Sequence, residues 1–249
     1  MSDNHRILIT GINGFIGNAL AEAIRNKGYD VWGIDIASNH DRQVVGVNLL
    51  DRNAFAEVYK KIPQCSVLIH TAALAHGQKP PKGETVITTN LKITANVLEF
   101  FEKETTDIIF FSSVAVYGED NRTNPVLVND TLRPSTDYGK SKLICEEHVL
   151  RSDIKNSTIL RLAPVYDEKH MVDIRKRVFL PGFSSIKMVL KPSPQYSLTS
   201  IDTVVKSLLS ILSKAPDGQN IYNISDSKPY YQQDLTTWFP GKEVVLPVL

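Results

Sequence analysis

The sequence predicts an α/β protein: a doubly wound parallel sheet with a small, shortened C-terminal cap. Three observations carry that prediction. Short apolar or β-branched runs alternate with longer segments of helical period. Those runs are apolar at nearly every position, and a glycine-rich turn joins the first run to the first helical segment. Strands apolar throughout are buried on both faces, and strands separated by helices pair in parallel through right-handed crossovers.

The elements follow in order. Arg6–Thr10 reads as a strand and Gly14–Asn26 as a helix that buries Phe15, Ile16, Leu20 and Ile24. Tyr29–Ile36 is a second strand, Gln43–Val47 a weaker third, and Asp51–Lys61 a helix. Ser66–His70 is a fourth strand, Glu84–Lys103 a long helix and Asp107–Ser113 a fifth strand. Tyr138–Arg151 is helical behind the N-cap candidates of Pro134–Asp137, and Ser157–Leu162 is a sixth strand. Residues 1–164 are therefore expected to form the sheet domain. Residues 165–249 hold seven of the 13 prolines. They show one clear helix, Ile201–Ser213, one strand, Asn220–Ile224, and a second helical stretch, Gln232–Phe239. That segment suits a small cap, interleaved with the sheet, better than a second independent core.

Composition narrows the function classes. Hydrophobic residues are 42% of the 249 and charged residues 22%, enough for a full core. Lys+Arg 28 against Asp+Glu 27 gives a net charge of +1 without like-charge blocks, which argues against a nucleic-acid partner. No apolar run approaches the ~18 residues of a membrane span. Cys65 and Cys145 form no disulfide framework, and the polar start Met1–Arg6 leaves no room for a signal peptide, so a cytoplasmic setting is expected. The six histidines stand in no metal-ligand spacing, and no metal is expected.

Gly11, Gly14 and Gly17 punctuate Thr10-Gly-Ile-Asn-Gly-Phe-Ile-Gly17, between a strand and a helix. Such a turn lets backbone approach a pyrophosphate, while the helix N-terminus offers N–H groups to it. Asp35 ends the second strand, where a carboxylate bonds ribose hydroxyls and repels a 2′-phosphate; NAD is favoured over NADP. Arg42 lies too far along to serve a 2′-phosphate.

Tyr138 and Lys142 are one helical turn apart in Tyr138-Gly-Lys-Ser-Lys142. A tyrosine is a poor base near neutral pH unless a nearby cation favours its phenolate, and Lys142 is placed to be that cation. The pair can then exchange a proton with a substrate alcohol during hydride transfer. Ser113, at the end of the fifth strand, is placed to hold the same oxygen.

These residues together resemble the extended short-chain dehydrogenase/reductases, specifically the NAD-dependent nucleotide-sugar epimerase/dehydratase family, whose core is a Rossmann sheet. The resemblance runs from Ile7 to about Phe239. Gly11, Asn13, Gly14, Phe15, Ile16 and Gly17 fall in a stretch like the family's TGxxGFIG. Leu49 and Asp51 resemble its adenine-side segment, which implies that Asp51 bonds the adenine amino group. His70-Thr-Ala-Ala73 is similar to HxAA, which implies that Ala72 and Ala73 run along the cofactor. Asn90–Leu98 is similar to NxxGTxNLL with Ile93 in place of glycine, and makes Asn90 a cofactor-binding candidate. Phe111–Gly118 is similar to SSxxVYG, and Leu160–Tyr166 to LRPxxVYG with an inserted-looking Leu162-Ala163. Tyr196–Val205 resembles the HVxDV region with Thr199 or Ser200 in place of histidine.

The resemblance implies bound NAD, a catalytic Ser113/Tyr138/Lys142 set and a nucleotide-diphosphate sugar, UDP-linked, as substrate. It also implies a homodimer through helices 84–103 and 137–151. Sugar 4,6-dehydratases of the family carry an Asp-Glu pair where this chain has Val114 and Ala115, so dehydration is not expected. Epimerisation at the sugar C4 is favoured, with 4-keto-sugar reduction as the alternative. The continuation Leu74-Ala75-His76 looks like epimerases and ketoreductases of polysaccharide pathways. A nonenzymatic NAD(P)-binding regulator is the third reading, disfavoured because the chain keeps both Tyr138 and Lys142. Against the family, the segment after Asn223–Asp226 is short, which predicts an open substrate site or one completed by a partner.

Overall fold

The structure is a computed structural model that describes residues 6–39, 42–75, 78–118 and 124–247. Met1–His5, His40 and His76 lie outside the described residues, and with them the His76 continuation. The elements run β1 Arg6–Thr10, α1 Phe15–Arg25, β2 Asp30–Asp35, β3 Val44–Gly46, α2 Arg52–Tyr59, β4 Val67–His70, α3 Val86–Phe101 and β5 Asp107–Ser113. A 3₁₀ turn, Val114–Tyr117, precedes α4 Asp137–Arg151, β6 Asn156–Leu162, β7 Val165–Tyr166, α5 Val172–Val178 and β8 Ile186–Lys191. Then come β9 Gln195–Tyr196, β10 Thr199–Ser200, α6 Ile201–Lys214, β11 Gln219–Ile224, β12 Tyr230–Tyr231, α7 Gln232–Thr236 and β13 Lys242–Pro247.

The chain forms two compact units, residues 1–161 with 207–223 and residues 162–206 with 224–249. In the first, seven strands form one sheet in the order β11-β6-β5-β4-β1-β2-β3. β1 pairs in parallel with β2 and β4, β2 with β3, and β4 with β5. Strand order reverses between β1 and β4, so the connections leaving their carboxyl ends diverge and open a crevice there. Leu8, Ile34, Phe55, Leu68, Ile108, Phe110 and Ile159 fill the core with no more than 1% of any side chain exposed. Burial on both faces explains the unbroken apolar runs of these strands. Thr85 caps α3 in a reciprocal pair with Thr88, and Thr136 caps α4 by accepting from the Gly139 N–H at 3.1 Å.

Residues 207–223 of the expected 165–249 cap lie with the sheet, where β11 is the edge strand, and residues 162–206 with 224–249 form the second unit. Its own core is Ile174, Val178, Phe179, Leu198 and Leu235. Three two-stranded pairings, β7 with β10, β9 with β12 and β8 with β13, carry the backbone. None but the last exceeds two residues per strand, too short to leave an alternating pattern in sequence. The helix expected over 232–239 stops at Thr236, and Trp238 and Phe239 close it with turn bonds to Leu235 and Thr236. Ser200 caps α6 by accepting from the Thr203 N–H at 3.2 Å. Asp226 collects Ser200, Thr203, Tyr166 and Tyr230 around one carboxylate.

Candidate active site

A cleft of about 610 Å3 opens at the carboxyl ends of β1, β2 and β4. Gly11, Asn13, Gly14, Asp35, Ala72 and Ala73, all cofactor-binding candidates from the sequence, line it. Gly11 holds φ +74, and a Cβ there would stand 2.9 Å from the Ala72 backbone, so only glycine lets the turn lie against the 71–74 segment. No side chain caps α1, leaving its first-turn N–H groups to the turn and to whatever the cleft holds.

Asp35 is tied into the same turn. Its Oδ2 accepts from the Asn13 N–H at 2.9 Å and its Oδ1 from the Ile36 N–H at 2.7 Å, while Asn13 Nδ2 donates to the Ala37 carbonyl at 3.0 Å. Each carboxylate oxygen keeps a lone pair for a ribose hydroxyl. Arg42 pairs instead with Glu22, at 3.7 Å.

The other expected cofactor residues have structural partners of their own. Phe15, Ile16 and Gly17 form the first turn of α1 and do not line the cleft. Asp51 caps α2, accepting from the Ala54 N–H at 3.0 Å, and the cleft wall beside it is Val47–Leu50. Asn90 is 2% exposed and its amide is committed at both ends. It accepts from the Leu74 N–H at 2.6 Å, and donates to the Leu74 carbonyl at 3.2 Å and to Ser141 Oγ at 3.0 Å. It thus clamps the 72–74 wall to α4. Gln78, Lys79 and Thr89 line the cleft but were missed by sequence reasoning, because they stand in no spacing a motif defines; Thr71 and Ile93 also line it, at non-glycine positions of the HxAA-like and NxxGTxNLL-like stretches.

Ser113 ends β5, and Tyr138 and Lys142 stand one turn apart on α4, which packs against that strand. Lys142 is 4% exposed, and its Nζ donates to the Phe111 carbonyl at 2.7 Å. The ammonium lies 4.9 Å from the Phe110 ring centroid and 5.9 Å from that of Tyr138. Burial brings Lys142 down to about 8, opposed by Cys145 and Glu146. Ser113 Oγ accepts from the Ala115 N–H at 3.2 Å, starting the 3₁₀ turn, which leaves its O–H to donate. A Cβ on Gly139 would meet the Ala115 carbonyl at 2.5 Å, so glycine beside Tyr138 lets α4 begin against that turn.

His70, fully buried at the end of β4, is a structural residue. Its Nδ1 lies 2.6 Å from Thr10 Oγ1 and its Nε2 3.1 Å from Thr94 Oγ1. Burial first, then the Lys142 charge, push it down to about 3. The unfolded chain therefore binds a proton that the fold refuses between about pH 6.5 and about pH 3, and stability falls as pH falls through that window. The expected loss is on the order of 3 kcal/mol by about pH 4. Denaturant unfolding of the wild type and of His70→Gln at descending pH checks this: the variant loses less stability on acidification, and parallel curves would refute it.

Among the described residues no group of three or more His, Cys, Asp or Glu could hold a metal, and no helix is long and apolar enough to cross a membrane. Cys65 and Cys145 are free and buried.

The model of the NAD dependent epimerase/dehydratase family matches residues 7–225. The chain belongs to that family. The UDP-glucose 4-epimerase of Schizosaccharomyces pombe is 28% identical over 176 residues, 63% of this chain and 49% of that protein. Methionine adenosyltransferase 2 subunit beta of Danio rerio is 30% identical over 171 residues, 68% of this chain and 50% of that one. The chain thus spans about half the length of these curated relatives. A short-chain dehydrogenase/reductase superfamily protein from Agrobacterium tumefaciens, solved with bound NAD, superposes with TM-score 0.81 at 22% identity. That match covers 98% of this chain and 86% of the other.

Proposed function

We propose that this chain is an NAD-dependent nucleotide-sugar 4-epimerase, with Tyr138 as the proton carrier and Lys142 and Ser113 in support. The observation that carries the reading is the buried Lys142 ammonium beneath the Tyr138 ring, at the same sheet edge as the glycine turn. The residues fit the dinucleotide. Gly11 leaves a cradle that a Cβ would fill, Asp35 keeps lone pairs for a ribose, and Val47, Leu49 and Leu50 offer an apolar wall for a base. The same cleft, with the glycine turn and Asp35, argues for NAD over NADP.

Bound there, NAD supplies the acceptor and donor of two electrons. The protein supplies the proton chemistry. Tyr138, as phenolate, takes the proton of the sugar C4 hydroxyl, and the charge on Lys142 keeps that phenolate accessible near neutral pH. Ser113 donates its O–H to the same sugar oxygen and orients it. Tyr138 returns the proton when C4 is reduced from the opposite face, so no net proton is consumed. Val114 and Ala115 offer no acid or base for expelling a neighbouring hydroxyl, so the cycle does not branch into dehydration.

The relatives support a UDP-linked sugar, since one is named for UDP-glucose. The test is incubation with UDP-sugars and UDP-4-keto sugars, with and without NADH, followed by NMR. Interconversion at C4 without net cofactor consumption is expected. Stoichiometric NADH loss would mean a ketoreductase, turnover of dTDP- or GDP-sugars alone would overturn the UDP assignment, and tight NAD binding without turnover of any sugar would mean a regulator. We further propose a homodimer through α3 and α4, whose outer faces carry the half-buried Leu91, Ala95, Leu143 and Ile144. Sedimentation equilibrium should return twice the chain mass, and Leu143→Glu should return it to one; a monomeric wild type would exclude this pairing.

A further inference from the structure

Behind the catalytic helix lies a buried polar network that joins two motifs the proposed reaction leaves unused. Glu146 is one turn beyond Lys142 on α4 and 1% exposed; Arg161, on β6, is 3% exposed. Arg161 Nη2 donates to Glu146 Oε2 at 2.7 Å, and Nε to Oε1 and Oε2 at 3.1 and 3.2 Å. Ser112 Oγ donates to Oε1 of the same carboxylate. Arg161 Nη1 continues to Tyr117 OH at 2.8 Å and the Val128 carbonyl at 3.1 Å. Tyr117 donates onward to Asn223 Oδ1 at 2.7 Å, and Asn223 Nδ2 to the Val126 carbonyl at 3.1 Å. One network therefore ties α4 to β5, β6 and β11, and to the chain between the 3₁₀ turn and α4.

Its connection to the site is short. Lys142 bonds the carbonyl of Phe111, and the next residue, Ser112, bonds Glu146. Two adjacent residues of β5 thus grip two side chains one turn apart on α4, fixing the helix against the strand at the level of Lys142. A buried ion pair gives little net stability relative to apolar packing, so its presence is better explained by what it orients. We infer that Glu146, held by Arg161 and Ser112, is a positioning residue that sets the place and charge of Lys142.

The inference rests on the assignment of Lys142 to the site but not on any substrate. The ionisable groups facing Lys142 are Tyr138, Cys145 and Glu146 from its own helix and His70 from β4, with Arg161 behind Glu146. Glu146→Gln keeps the shape and leaves the Arg161 cation uncompensated, which disfavours a second cation at Lys142. Glu146→Gln with Arg161→Met removes both charges and lifts that penalty.

The test is an NMR titration of lysine labelled with 13C at Cε, with the Lys142 signal assigned by its loss in Lys142→Met. Neither cofactor nor sugar is needed, so the result stands apart from the epimerase assignment. In the wild type the midpoint is expected at about 8. Glu146→Gln should lower it by at least ~1 unit, and the double variant should bring it back to within about half a unit of the wild type. A midpoint unchanged in folded Glu146→Gln, or lowered equally in both variants, would overturn the inference. If the single variant does not fold, the double variant decides: a midpoint more than ~1 unit from the wild type would reject it.

Discussion

Tyr138→Phe is expected to lower C4 epimerisation by about 10³-fold while leaving NAD affinity and stability near wild type. The hydroxyl is the one group the substitution removes. The ring remains, and with it the face that Lys142 approaches at 5.9 Å, so the packing of α4 against β5 persists. General acid–base catalysis by one positioned group contributes on the order of 10² to 10⁴. Lys142→Met should cost less in turnover near about pH 9 than near about pH 6.5. The wild-type ammonium is charged below about 8 and lost above it, so its contribution fades as pH rises through that value. Single-turnover and steady-state rates across this range, with NAD affinity measured in parallel, check both statements. Tyr138→Phe retaining a tenth of wild-type activity would remove the tyrosine from the proton path.

The same chemistry explains which parts of the molecule were legible in the sequence. The turn at Gly11–Gly17, Asp35 and the pair Tyr138/Lys142 carry their meaning in spacing, because a strand-to-helix turn and one helical pitch translate directly into distance. Asp51 and Asn90 fall at positions resembling cofactor contacts, yet local backbone demands engage them first. An Asp immediately before a helix is an N-cap, and a buried amide between two chain segments takes their N–H and C=O groups. Arg161 stands as a charge inside the apolar run Thr158-Ile-Leu-Arg-Leu162. Such a residue implies a buried partner, but a partner 15 residues earlier on another element leaves no periodic trace. The second unit was least legible because two-residue strands carry no alternation and β13 exposes five of its six residues.

Gly17→Ala should loosen the cofactor cradle, although in most helices glycine-to-alanine stabilises. The gain from helix propensity is at most ~1 kcal/mol. Against it, a Cβ on Gly17 would lie 2.1 Å from the Gly11 carbonyl oxygen, with the Gly11 carbonyl carbon and Ile12 Cα at 2.9 Å. All three atoms are backbone, so no side-chain rotation relieves the overlap, and α1 must move off the turn. Overpacking of a tight core typically costs about 1–3 kcal/mol, enough to outweigh the propensity gain. The displaced atoms are those that line the cleft: Gly11 sits against Ala72, and Asn13 carries the N–H that holds Asp35. The expected result is a melting temperature lower by a few degrees, at roughly 2–4 °C per kcal/mol, with at least a ~10-fold loss of NAD affinity. Gly28→Ala is the control. Gly28 holds φ +85 with nothing within 4 Å of its Cβ position, so alanine there strains the backbone by about 1–2 kcal/mol far from the cleft lining. Stability should fall in both variants, and NAD affinity in Gly17→Ala alone. Equal affinities for the wild type and Gly17→Ala would mean that the close α1–β1 approach is not what shapes the cradle.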